Sequence, residues 1–357
     1  MDTAELNSTI DTRMAQLTAE YLNFDDEDVE PCLRATVDAL KDQALIMNAG
    51  GKRLRARLLL DSYRAAATTN DAQATALDLA CAVEIYQTSA LVHDDIMDDS
   101  PLRRGKPSAH MSLSNFTNDA QSGKALALML GNMLATLSAN VAFRALHRVG
   151  LEKFQPVFLN MQRAVEIGQC LDQAAQRLDL EDPARIRQAA LNVYAWKTAS
   201  YTTVAPLELG FLCAGMPYVQ ARPAARAIGL PLGVAFQLRD DAIDIFGNPE
   251  DTGKPVGGDI LEGKRTVLLA DMLDDLNDDG KNTVKCIYAS ERRSDADIAL
   301  MLGLLDSTDA IGQSKRRIDL LTSQSLNALE RYEFDGYACE SLVATCREFV
   351  GFKSQHR

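Results

Sequence analysis

The stretch DAQATALDLACAVEIYQTSALVHDDIMDDS, residues 71–100, decides the fold. It reads as one long helix over 72–97, rich in Ala and Leu, short of β-branched runs, and stopped by Ser100-Pro101. Near its end stand Asp94, Asp95 and Asp98. On a helix, Asp98 lies four residues from Asp94 and three from Asp95, so all three carboxylates project to one side. Like charges stacked in this way destabilise a helix unless something positive joins them. Mg²⁺ is suited to that task, because it takes one or two carboxylates, several waters and phosphate oxygens.

Outward from this stretch the chain keeps the same character. Helical segments are expected near 5–22, 30–48, 53–68, 118–148, 152–178, 184–214, 219–246, 261–276 and 293–305, with two more after 308. Breaks fall at Gly50-Gly51, Gly105-Lys106-Pro107, Pro183, Gly215-Met216-Pro217 and Gly247-Asn248-Pro249. No strand alternation of useful length, internal repeat or low-complexity linker interrupts them. The expectation is an all-α fold: one domain over residues 1–357, a large helical bundle around a deep central cavity, which a chain of this length can enclose.

Composition narrows the function. Of 357 residues, 46% are hydrophobic and 24% charged, ordinary for a well-cored protein, and the net charge of −13 argues against a nucleic-acid partner. An anionic substrate must then be met by local clusters of Lys and Arg. Seven scattered cysteines without metal spacing, with mostly apolar neighbours, read as reduced, buried thiols, and four unclustered histidines argue against zinc. The N-terminus lacks the pattern of a signal peptide, so a cytoplasmic location is expected. Residues 125–143 carry no charge and reach transmembrane length, but Gly131, Asn132, Thr136, Ser138 and Asn140 favour a helix buried in a bundle, with no transmembrane segment.

A second acidic cluster, Asp240, Asp241 and Asp244 in FQLRDDAIDIFG, repeats the spacing of the first among Phe236, Leu238, Ile243, Ile245 and Phe246. The pattern alone is cheap in so acidic a chain. Asp274, Asp275 and Asp278 in DDLNDDG also match it, yet run into Gly280 and polar residues as a solvated helix end would, and the acidic run at 25–28 is similar. Basic company sets the first two clusters apart. PLRRGKPS puts Arg103 and Arg104 on a short loop just past the first cluster, where two planar guanidinium forks can address phosphate oxygens. NAGGKRLRARL delivers Lys52 and Arg55 from a Gly-Gly turn at a helix start that itself favours anions. DTGKPVGGDILEGKRT places Lys254 and Lys264 among glycines after the second cluster. Weaker signals are Lys197 beside Trp196, which as easily snorkels, Gln87 two turns before Asp94, and Gln237 three residues before Asp240.

Taken together, from GGKRLR near residue 50 through LEGKRT near 265, these motifs resemble the trans-polyprenyl diphosphate synthases, the family of farnesyl and geranylgeranyl diphosphate synthases. The resemblance implies an isoprenoid synthase-like fold and a homodimer. It implies that Asp94, Asp95, Asp98, Asp240, Asp241 and Asp244 hold three Mg²⁺ around an allylic diphosphate contacted by Arg103, Lys197 and Lys254. It further implies that Lys52, Arg55, Gln87 and Arg104 bind isopentenyl diphosphate, and that Thr198 and Gln237 line the reacting centre. Such an enzyme breaks an allylic C–O bond, stabilises the departing diphosphate with metal and cationic side chains, and excludes water so that the cation meets the isopentenyl double bond. The diphosphate can take the proton, so no histidine base is needed, and His93 points off the acidic face.

The chain departs from the family pattern at Gly131-Asn132, where Gly-Asp is common, and it lacks the two-residue insertion found in the first cluster of bacterial farnesyl synthases. In the family, residues one turn below the first cluster set product length. Ser89 and Ala90 are small there and Tyr86 stands deeper, so a geranylgeranyl product is expected, with farnesyl or longer products as alternatives. A terpene cyclase or head-to-head enzyme would lack the second DDxxD and the GGKRLR element. A non-catalytic regulatory subunit would have lost acidic ligands, and all six are present.

Overall fold

A computed structural model describes residues 2–24, 29–247, 256–290, 293–332, 334 and 336–351, without the side chain of Tyr337. The acidic run at 25–28 and Lys254 lie outside the described residues. The chain is helical nearly throughout, as expected. Its helices are α1 (Thr3–Tyr21), α2 (Pro31–Asn48), α3 (Leu54–Ala66), α4 (Gln73–Met97), α5 (Ala109–Thr117), α6 (Ala120–Arg148), α7 (Gln155–Ala175), α8 (Pro183–Val193), α9 (Ala205–Cys213) and α10 (Tyr218–Phe246). After them come α11 (Gly258–Glu262), α12 (Val267–Asp275), α13 (Asp278–Ala289), α14 (Asp295–Asp306), α15 (Ala310–Leu329) and α16 (Gly336–Val350). The chain divides into two compact units, one of Met1–Asn160, Pro206–Ala221 and Phe334–Leu342, the other of Met161–Ala205, Arg222–Glu333 and Val343–Arg357.

In the first unit α4 packs along α6 and against α3. Fifteen residues of α4 are buried, including the polar Asp78, Glu84, Thr88, Ser89 and Asp95. A Cβ at Gly131 of α6 would stand 2.2 Å from His93 Nε2, so glycine is required for the two helices to meet there. His93 therefore packs against α6, and its Nε2 lies 3.4 Å from the Leu128 carbonyl. The buried positions of α6, such as Ala127, Leu130, Leu134, Leu137 and Val141, recur every three or four residues and form one stripe. Leu128 and Met129 on its other side are 45% and 47% exposed. By length and hydropathy α6 could cross a membrane, and 44% of its apolar stretch is buried. The expected burial of this helix thus holds for one face only.

The PLRRGKPS segment is tighter than the expected loop. Leu102 pairs with Pro107 and Arg103 with Lys106 in a two-residue antiparallel hairpin. Arg104 (φ 52°) and Gly105 (φ 72°) take its two left-handed turn positions, as the twist of such a hairpin demands.

In the second unit α8 continues into a π-helical segment, Tyr194–Val204, before α9. Its wide coil is gripped by glycines: a Cβ at Gly168 of α7 would meet Lys197 N at 2.3 Å, and one at Gly233 of α10 would meet Ala199 Cα at 2.5 Å. One apolar cluster gathers Tyr194, Ala199, Ala235, Leu238, Val267 and Ile318, and another gathers Ile186, Ile260, Leu269, Leu273, Val284 and Met301. All seven cysteines are free, but only Cys81, Cys213 and Cys346 are buried. Cys32, Cys170 and Cys286 are exposed, which corrects the expectation of buried thiols.

Candidate active site

The first acidic cluster sits where the long helix α4 runs out, so its carboxylates are held by a rigid rod at one end and by the hairpin at the other. Asp95 is fully buried, Asp94 and Asp98 are half-buried. The hairpin turns its two arginines to different tasks. Arg103 Nε donates to Asp95 Oδ1 at 2.9 Å, a second guanidinium nitrogen also bonds that oxygen, and Asp94 Oδ2 lies 4.0 Å away. Burial opposes the charge on Arg103, but Asp95, Asp94 and Asp98 more than offset it, so its pKa is raised. Arg104 instead reaches back to the end of α2, donating to the carbonyls of Ala49 at 3.0 Å and Gly50 at 3.2 Å. A cation suits these unsatisfied C-terminal carbonyls.

That contact brings Arg104 to the Gly-Gly turn. Gly50 (φ 75°), Gly51 (φ 103°) and Arg53 (φ 52°) are all left-handed, and the chain then enters α3 with Lys52 exposed and Arg55 in the first turn, 8% exposed. The expected helix start is therefore present, and Lys52, Arg55 and Arg104 share one region of the first unit. Gln87 is half-buried on α4. Of the expected chain-length residues, Tyr86 is 4% exposed, and Ser89 is 1% exposed with its hydroxyl donating to the Gly131 carbonyl at 2.7 Å. Ala90 is half-buried.

The second cluster stands at the end of α10. Asp240 is exposed, Asp241 is 4% exposed and Asp244 half-buried. A chain of hydrogen bonds orders Asp241. Thr198 Oγ1 donates to Gln237 Oε1 at 2.7 Å, Gln237 Nε2 donates to Asp241 Oδ1 at 2.9 Å, and the Tyr194 hydroxyl donates to Asp241 Oδ2. The same hydroxyl accepts the Val267 N–H at 3.1 Å. Burial and the nearby charge of Asp259 push Asp241 well above the usual carboxylate range, although the Tyr194 and Gln237 bonds pull it down. Asp244 Oδ2 accepts the Asp259 N–H at 3.0 Å. Lys264 Nζ lies 3.3 Å from Asp259 and 2.5 Å from Glu262, and Lys197 Nζ donates to Asp172 at 2.6 Å.

Thus Lys197, Thr198 and Gln237 lie in the same unit as the second cluster, while in the other unit, which also holds Arg55 and Gln87, Arg103 meets the first cluster and Arg104 meets the turn bearing Lys52. Among the described residues, no three Asp, Glu, His or Cys side chains converge to a complete metal site. The donor sets nonetheless fit Mg²⁺, which asks the protein for only one or two carboxylates beside phosphate oxygens. Sequence reasoning missed Tyr194, Asp172 and Asp259. Tyr194, three residues before Lys197, carried a weak helical-spacing signal, and Asp172 carried none.

The third DDxxD match, at Asp274, Asp275 and Asp278, is absorbed by ordinary structure. Asp274 pairs with Arg187, and Asp275 accepts from the Asp309 N–H and Gln313 Nε2, both at 3.1 Å. Asp278 begins α13.

The polyprenyl synthetase family matches residues 40–305. The farnesyl diphosphate synthase of Geobacillus stearothermophilus is 34% identical over 268 residues, covering 71% of this chain and 84% of that protein. The octaprenyl diphosphate synthase of Escherichia coli is 30% identical over 63% of this chain and 62% of its own length. A crystal structure of geranylgeranyl pyrophosphate synthase from Corynebacterium glutamicum, complexed with isoprenyl diphosphate and magnesium, superposes with a TM-score of 0.84 at 28% identity over 98% of this chain and 99% of that one.

Proposed function

The chain belongs to the polyprenyl synthetase family and is a trans-prenyl diphosphate synthase, a prenyltransferase; from that premise we propose that it makes geranylgeranyl diphosphate by head-to-tail condensation. Isopentenyl diphosphate would add to dimethylallyl, geranyl or farnesyl diphosphate with release of diphosphate. The observation that carries this reading is the company kept in the first unit, where Arg104 binds the turn bearing Lys52 while its neighbour Arg103 binds Asp95.

Lys52, Arg55, Gln87 and Arg104 would hold the isopentenyl diphosphate. Arg103 and Lys197, with Lys254, would hold the allylic diphosphate, and Lys264 would add to substrate binding. Asp94, Asp95, Asp98, Asp240, Asp241 and Asp244 would hold Mg²⁺, three ions by family resemblance, and bound Mg²⁺ would stabilise the departing diphosphate. Thr198 and Gln237 present oxygen atoms that can steady a nearby allylic cation, and Tyr194 and Gln237 fix the Asp241 carboxylate in place. Incubation with labelled isopentenyl diphosphate, Mg²⁺ and each allylic primer tests the reading. Elongation is expected, and no incorporation with any primer would sink it.

Product length rests on α4. Ala90 and Tyr86 lie four and eight residues before Asp94, on one helical face, and Ser89 is held against α6. A tail passing small Ser89 and Ala90 would meet Tyr86 as its floor. Ala90→Phe is expected to shift the main product at least one isoprene unit shorter, and Tyr86→Ala to lengthen it, as chromatography of the products would show. Unchanged lengths in both variants would remove these residues from the pocket. A homodimer would cover the exposed apolar face of α6, and Leu128→Glu should then yield a monomer by sedimentation.

A further inference from the structure

The helix α3, which presents Arg55, has no side-chain cap of its own. Its N-cap position is Arg53, in the left-handed region, and a guanidinium cannot accept the orphan N–H groups of the first turn. The missing acceptor comes from another helix. Glu84 of α4, with its side chain 3% exposed, accepts the Ala56 N–H on Oε1 at 3.1 Å. Its other oxygen lies 3.4 Å from Arg53 Nη1. Arg53, 1% exposed, also donates to the Asn48 carbonyl at 2.5 Å and to Asp11 of α1 at 2.6 Å. The turn containing Gly50, Gly51 and Lys52 is therefore pinned at its entry through Asn48 and at its exit through Ala56, by one buried ion pair.

We propose that Glu84 and Arg53 are positioning residues for the isopentenyl diphosphate site, an inference that rests on the reading of Lys52 and Arg55 given above. Glu84 lies ten residues before Asp94 on the same unbroken helix, a rise of about 15 Å. The pair thus sets where the Lys52 turn sits along the rod that ends in the first acidic cluster. A carboxylate at the start of α3 also complements the helix dipole, keeping that end ordered beside the basic groups.

Steady-state kinetics on the full-length chain with Mg²⁺ tests this. Glu84→Ala is expected to raise KM for isopentenyl diphosphate about tenfold, since a buried, charge-assisted contact is lost. KM for the allylic diphosphate should stay within about twofold, because Glu84 stands about 15 Å along α4 from Asp94. Glu84→Gln retains an acceptor for Ala56 and should raise the isopentenyl KM by only about threefold. If both KM values rise together, or if only the melting temperature falls, the positioning role is overturned. Should Glu84→Ala fail to fold, Glu84→Gln and Asp11→Asn, at the exposed end of the chain of contacts, decide: no rise in the isopentenyl KM for either overturns it. Lys52→Ala separates the two readings. If it leaves the isopentenyl KM unmoved, the assignment of that site fails, whereas a rise for Lys52→Ala without one for the Glu84 variants refutes the positioning role alone.

Discussion

Replacing Asp94 by alanine is expected to lower kcat/KM for the allylic diphosphate about 10³-fold, whereas Asp274→Ala should leave it within about twofold. Both residues open a DDxxD pattern, so the contrast separates motif from setting. Asp94 projects from the end of α4 beside buried Asp95 and the Arg103 guanidinium, where a metal-held diphosphate would bind. Loss of one carboxylate there removes charge stabilisation of the leaving group, worth about 4 kcal/mol on that scale. Asp274 is half-exposed and spends its charge on Arg187. Initial rates across a Mg²⁺ titration provide the measurement, and the Asp94 variant should also need more Mg²⁺ for half-maximal rate. Equal losses in the two variants would show that the first cluster has no special role.

The second large effect falls on stability. Asp271 is fully buried and accepts from Arg187 Nε at 2.7 Å and from Arg317 Nη1 at 2.6 Å and Nη2 at 3.3 Å. Asp271→Ala would take the carboxylate from Arg317 on α15 and leave Arg187 on α8 with Asp274 alone, and breaking a buried ion pair costs about 3–5 kcal/mol. Both arginines retain some solvent access, so the lower end of that range is expected. A lower urea midpoint with unchanged KM values is the predicted signature. An unchanged midpoint would mean that the two arginines find water without cost.

Most helices were legible because their signal is local. The expected bounds near 30–48, 72–97 and 219–246 fall within one residue of α2, α4 and α10. Two helices, α5 and α13, fall wholly outside the expected segments, for physical reasons. The nine residues of α5 are too few to show a convincing period after the hairpin. The start of α13 was read as a solvated helix end, although Asn277 caps the Gly280 N–H and Asp278 and Asp279 fill the first turn, a helix-start signature. The aspartate clusters were legible for the same reason as the helices, since their spacing is short. Their partners were not. Tyr194 and Asp241 are 47 residues apart, Lys197 and Asp172 are 25 apart, and no local pattern announces such pairings.

The π-helical stretch bears on how this chain tolerates changes in length. A residue removed from the α-wound middle of α4 would rotate everything beyond it by about 100° and carry Asp94 off its face. Between Tyr194 and Val204 the winding is already wider than an α-helix, so a shortened segment can tighten toward α geometry and take up the slack. Single-residue deletions there should be better tolerated in soluble yield than deletions in α4. The stretch that carries Lys197 and Thr198 would then also be where relatives of this chain can lose a residue without losing their shape.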